Sequence, residues 1–150
     1  MKPGTWKLTV VREPAPPVEY GGIDMNEAFT SAGEIWRRFR SYCERLDREQ
    51  FIVVPLDVKH RPLGFHVASI GSVSASIVHP REIAKVLILA SAATWVCVHN
   101  HPSGLPQPSK EDLELTRRLR DMGELLGIRL LDHVIIGTEK YVSMCEDGYF

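Results

Sequence analysis

Residues 94–137 read TWVCVHNHPSGLPQPSKEDLELTRRLRDMGELLGIRLLDHVIIG, and their order decides the fold. TWVCVHNH (94–101) is rich in β-branched and aromatic residues, as in a strand that leaves the core at its polar end. PSGLPQP (102–108), with three prolines and one glycine, is a loop. Ser109 opens a helix that ends near Gly127, and IRLLDHVIIG (128–137) is a buried strand. Upstream, FIVVPLDV (51–58) is a nearly continuous apolar run, the pattern of a central strand covered on both faces. Pro55 cannot donate to a ladder, so it predicts an edge or a bulge there. LGFHVASIG (63–71) is the next strand. His79-Pro80 opens a helix that runs to about Ala93, with the proline in its first turn. YVSM (141–144) is a last short strand. Strands alternating with helices through 51–137 predict a layered α/β domain, a mixed β-sheet flanked by helices.

Before this core, TWKLTVVR (5–12) reads as an edge strand and EPAPPVEYGG (13–22) as a linker. The expected organisation is therefore an N-terminal strand and linker over 1–22 and one domain over 23–150. A helix is predicted from about Met25 to Leu46, where Ala28, Ile35, Phe39, Tyr42 and Leu46 recur at helical spacing. Arg37, Arg38, Arg40 and Glu44 read as its solvated face. The chain has 150 residues, 44% hydrophobic and 25% charged, which suits a single soluble domain. A net charge of −1 disfavours a wholly electrostatic nucleic-acid binder. Three cysteines without a CxxC pair argue against a disulfide framework and for a reducing compartment. No apolar run reaches the roughly 18 residues of a membrane span, and MKPGTWKLTV lacks a signal-peptide core. The expected location is cytoplasmic, with no membrane partner.

Chemistry concentrates in HNHPSGLPQPSKED (99–112). In extended backbone alternate residues share a side, so His99 and His101 present two imidazoles to one ion. The proline-rich loop returns the next helix toward the strand end, with Asp112 just inside it. Two histidines and one carboxylate leave a fourth tetrahedral position for water, the layout of a catalytic zinc site. The same residues also read without a metal. Ser109 is a good N-cap, Asp112 is suited to the first helical turn, and the histidines would be polar strand-end residues.

The spacing HxH, seven residues, Ser, two residues, Asp resembles the JAMM motif of the JAB/MPN metalloprotease family at His99, His101, Ser109 and Asp112. VHPREI (78–83), VHNHPSG (98–104), PSKEDLELTRRL (108–119) and LLGIRLLDHVIIG (125–137) resemble its RadC branch, over about residues 25–145. The resemblance implies a JAB/MPN-like fold with a cytidine-deaminase-like layered architecture. It implies Zn2+ held by His99, His101 and Asp112, and Ser109 assisting the oxyanion formed on an amide carbonyl. It also implies an upstream glutamate as general acid/base. Glu49, in DREQF just before a strand that would border the site, is the choice; Glu34, Glu44 and Glu82 are weaker candidates.

Other reactive residues read more simply. Cys97 is expected as a small buried residue, His133 as a hydrogen-bonded core histidine, and His79 as support for a helix start. His60 and His66 have no evident partner. Asn100 alternates away from the histidines and has a structural role. Ser103 and Gly104 shape a turn or the site rim, and Trp36 and Trp95 belong to the core. The leading function is zinc-dependent hydrolysis of a peptide or isopeptide bond in a protein or peptide substrate. The alternatives are a DNA-processing metal-dependent protein, in keeping with the repair label that RadC-like proteins carry, and a non-catalytic MPN binding module. The helix-hairpin-helix module of some relatives is not expected in the short segment before the first helix. Specificity is assigned to the loops around 59–64, 71–79 and 102–108, and the oligomeric state is left open.

Overall fold

The computed structural model describes residues 23–73 and 77–150; the strand expected over 5–12 and the linker over 13–22 lie outside the described residues. In chain order the elements are α1 (Ala32–Cys43), β1 (Gln50–Leu56), β2 (His66–Ile70), α2 (Pro80–Leu89), β3 (Thr94–Asn100), α3 (Lys110–Leu126), β4 (Arg129–Ile136) and β5 (Tyr141–Ser143). The strands form one sheet in the order β2-β1-β3-β4-β5. β3 and β4 run parallel and the other neighbours antiparallel. The sheet is mixed because α3 provides the crossover that the parallel pair β3–β4 needs, whereas the other neighbours run antiparallel, β1 and β3 being separated in the chain by β2 and α2.

Alternation along the strands divides the core in two. Ile52, Val54 and Leu56 of β1, Val96 and Val98 of β3, and Val134 and Ile136 of β4 pack with Ile35 and Phe39 of α1. Phe51 and Val53, Trp95 and Cys97 face the other way, onto Ile83 and Leu87 of α2 and Leu115 and Leu119 of α3. Both faces of β1 and β3 are covered, which explains their unbroken apolar runs. Among the described residues no helix is long and apolar enough to cross a membrane.

Three local expectations are refined. α1 starts at Ala32 rather than near Met25, because Ser31 caps it: the Ser31 hydroxyl accepts from the Glu34 amide, and Glu34 reaches back to the Thr30 amide at 3.0 Å. Arg38 is not part of a solvated face. Its side chain is 9% exposed and donates to the Glu27 and Ala28 carbonyls at 2.6 and 3.2 Å, so it ties the incoming chain to the helix. Pro55 lies within an interior strand, paired with Trp95. Its carbonyl accepts from the Leu63 amide on the β2 side. Its missing N–H faces that same side, beyond the last regular β1–β2 pair, Val53 with His66. There the neighbour is the irregular segment 62–63 rather than a regular strand: Leu63 bonds the Pro55 carbonyl and Leu56 bridges Pro62.

Candidate metal centre

His99 lies one residue before the end of β3, between Phe51 of β1 and Ile135 of β4, and is fully buried. His101 follows the strand, but its amide still donates to the Ile136 carbonyl at 2.9 Å, which keeps it in line with the ladder. The rings of His99 and His101 meet edge to face with centroids 4.6 Å apart. Asp112, in the first turn of α3, is also buried and bridges them. Its Oδ1 is 3.4 Å from His99 Nδ1 and its Oδ2 is 3.3 Å from His101 Nε2. Both readings of Asp112 hold at once. Its Oδ2 accepts from the Ser109 amide at 2.7 Å while the Ser109 hydroxyl accepts from the Asp112 amide at 3.0 Å, a complete capping box. The carboxylate has lone pairs enough to cap the helix and face the histidines.

The donor set fits a cation. The Leu105 carbonyl lies 2.7 Å from His101 Nδ1 and can only accept, so Nδ1 carries a proton and Nε2 is the nitrogen turned toward Asp112. Nε2 faces the Asp112 oxygen across 3.3 Å, a gap that either a proton on Nε2 or a cation bound to both atoms would fill. Neither nitrogen of the buried His99 ring has a hydrogen-bond partner among the described residues. Donor atoms of the types that zinc takes thus lie within 3.4 Å of one carboxylate, through a different oxygen for each ring. Burial and the neighbouring His133 push His99 down to about 3, so its imidazole is neutral and able to ligate. At His101, burial is outweighed by Asp112 and the Leu105 carbonyl, which raise its pKa. At Asp112, burial is likewise outweighed by His101, His99 and Ser109, which hold the carboxyl below its usual range.

Glu49 joins this cluster from the residue before β1. Its Oε2 is 4.0 Å from His99 Nε2 and accepts from the Val73 amide at 3.1 Å. Glu49, His99 and His101 each offer one ligand atom within 4.8 Å of the other two. The other candidate glutamates are engaged elsewhere: Glu34 with Thr30 and Arg38, Glu44 with Arg40, Glu82 with Lys85. The exposed Ser109 hydroxyl spends a lone pair on the cap and keeps its O–H for another acceptor.

Cys97 is fully buried in the core, and burial raises its thiol pKa well above normal. His133 is a hydrogen-bonded core histidine, as expected: its Nδ1 lies 2.7 Å from the Thr116 hydroxyl. Its ring stacks near His99 at 5.6 Å. Thr116 escaped the sequence reading. Its hydroxyl donates to the Asp112 carbonyl at 2.6 Å, which leaves His133 to donate to Thr116 and links the turn bearing Asp112 to β4. His79 precedes α2 as its cap without a side-chain cap bond, and His60 adopts φ +59 and accepts from the Phe29 amide through its carbonyl.

The loop after His101 is pinned to the β4–β5 turn. The Gly104 amide donates to the His101 carbonyl and the Thr138 amide to the Gly104 carbonyl. This packing requires glycine at 137. A Cβ there would run into the Gly104 carbonyl oxygen and stand 2.9 Å from the Gly104 carbonyl carbon and from Pro106 Cδ. Gly137→Ala is expected to displace this loop, and with it the Leu105 carbonyl that orients His101, at a cost of about 1–3 kcal/mol. Urea unfolding and zinc titration check this; wild-type values in both would contradict the close packing.

The family described as RadC-like JAB domain matches residues 29–149. A UPF0758 protein of Bacillus licheniformis is 53% identical over 104 residues, 69% of this chain and 46% of the relative. A UPF0758 protein of Syntrophotalea carbinolica is 48% identical over 122 residues, 81% of this chain and 54% of the relative. The UPF0758 protein YsxA of Bacillus subtilis is 51% identical over 104 residues, 69% of this chain and 45% of the relative. This chain thus spans about half the length of the relatives it matches.

Proposed function

The chain belongs to the RadC-like JAB domain family, and on that premise we propose that it is a zinc-dependent hydrolase that cleaves a peptide or isopeptide bond in a protein or peptide substrate. The observation that carries this reading is the convergence of His99, His101 and Asp112 at the end of β3, with Asp112 Oδ2 3.3 Å from His101 Nε2 and Oδ1 3.4 Å from His99 Nδ1, beside a buried His99 ring with no hydrogen-bond partner. His99, His101 and Asp112 would hold the ion. When bound, zinc supplies Lewis acidity that brings the pKa of a water toward about 7.

The chain's own residues do the rest. Glu49 lies on the open side of His99, half-exposed, with one carboxylate oxygen steadied by the Val73 amide. It takes the proton of the attacking water as the O–C bond forms and returns it to the leaving nitrogen as the C–N bond breaks. Ser109 donates its free O–H to the carbonyl oxygen as negative charge builds there. The positive end of α3 lies beside the same position. A groove of about 340 Å³ between the C-terminal end of α1 and the His101 loop, bordered by Arg40, Glu44, His101 and Thr138, reaches the edge of the site at His101.

The test is zinc content by elemental mass spectrometry, followed by hydrolysis of two probes, an unfolded dye-labelled protein and an ε-lysine-linked peptide. About one zinc per chain, and cleavage abolished by chelation and restored by zinc, is the expected result. Absence of zinc after zinc is supplied would sink the reading and leave a binding module.

A further inference from the structure

Asn100 stands between the two histidines and points to the opposite face of β3. It is 2% exposed, and its amide makes two hydrogen bonds, one to the residue two before β1 and one to the first residue of β1. Its Oδ1 accepts from the Gln50 amide at 2.7 Å and its Nδ2 donates to the Arg48 carbonyl at 2.9 Å. These partners settle the orientation of the amide, because an N–H must meet the oxygen and a carbonyl must meet the NH2. They flank Glu49 on both sides. Regular pairing of β1 with β3 ends at Phe51 with His99. One step further out, the Asn100 side chain replaces the missing ladder. It grips the C=O before Glu49 and the N–H after it, as a parallel strand grips a single residue. The remaining contacts come from the other side, where the Gly71 amide donates to the Glu49 carbonyl at 2.8 Å and the Val73 amide to its carboxylate.

We infer that Asn100 is a positioning residue for Glu49, a splint that fixes the glutamate relative to the histidines on either side of Asn100 in the chain. The physical reason is economy of reference. Asn100 shares its backbone with His99 and His101, so whatever Asn100 holds is held in register with both rings. Without the splint, residues 48–50 would have no bond from β3, and a carboxylate 4.0 Å from His99 would swing by more than the tolerance of proton transfer. The positioning stands on hydrogen bonds alone; its value for catalysis rests on the hydrolase reading above.

The test reads the position of Glu49 directly, by two-dimensional amide NMR of the full chain. The Val73 N–H is bonded to a carboxylate and resonates downfield; Glu49→Gln leaves it bonded to a neutral group and moves it upfield. Asn100→Ala is expected to move the Val73 resonance in the same direction and to speed exchange of the Gln50 amide, and the double variant to add nothing at Val73. Val54→Ala, a deletion in the core on the same face of the sheet, should leave both resonances in place. Asn100→Ser supplies a second variant should the alanine chain not fold. Once a substrate is in hand, turnover should fall about tenfold to a hundredfold with KM and zinc content unchanged. A Val73 resonance at its wild-type position in a folded Asn100 variant overturns the proposal. An active Glu49→Gln chain would instead remove the acid/base role and leave the splint.

Discussion

His99→Ala and Asp112→Ala are expected each to reduce zinc from about one per chain to near zero, read by elemental mass spectrometry after dialysis. Each would remove one of the three protein donors proposed for the ion. Zinc at a hundred times its dissociation constant should stabilise the wild type by about 2.7 kcal/mol and leave both variants unmoved in thermal unfolding. The two should still differ in metal-free stability. His99→Ala removes a ring whose nitrogens have no partner. Asp112→Ala also takes the acceptor from the Ser109 amide, and loss of a helix cap costs about 1 kcal/mol. Asp112→Asn separates the two jobs, because its oxygen still accepts from Ser109 while the anionic ligand is gone. It should fold like the wild type and bind zinc weakly. Zinc retained at full occupancy in both alanine variants would place the ion elsewhere.

Glu49→Gln is expected to keep zinc and lose about 10²- to 10⁴-fold in turnover, the usual contribution of a positioned acid/base. The substitution keeps size and an acceptor for the Val73 amide, so the local structure should hold. What it removes is the ability to take a proton. Unchanged turnover would show that the base lies elsewhere. Loss of zinc would have a different meaning: Glu49 offers an atom within 4.8 Å of both histidines, and that outcome would make it a ligand.

Where local chemistry decides a feature, the sequence is enough. The apolar runs at 51–56 and 94–98, the helix start at Ser109 and stop at Gly127, and the alternation of strands and helices are short-range patterns, and the mixed α/β sheet follows from them. The cluster of His99, His101 and Asp112 is legible for the same reason, since 14 residues of strand, loop and first helical turn leave few ways to arrange them. Features that depend on pairings between distant segments were legible only through the family resemblance, as with the choice of Glu49, or not at all. The nearness of Glu49 to the histidines comes from the antiparallel register of β1 and β3, and the Asn100 bond to Gln50 spans 50 residues. The burial of Arg38, the tolerance of Pro55 inside the sheet, and the link from Thr116 to His133 likewise appear only after the strands are in register. Periodicity and spacing determine which faces of each element are apolar and which donors lie together along the chain. Register and crossover determine which segments meet, so the cluster of His99, His101 and Asp112 belongs to the sequence and the placement of its carboxylate neighbour to the tertiary structure.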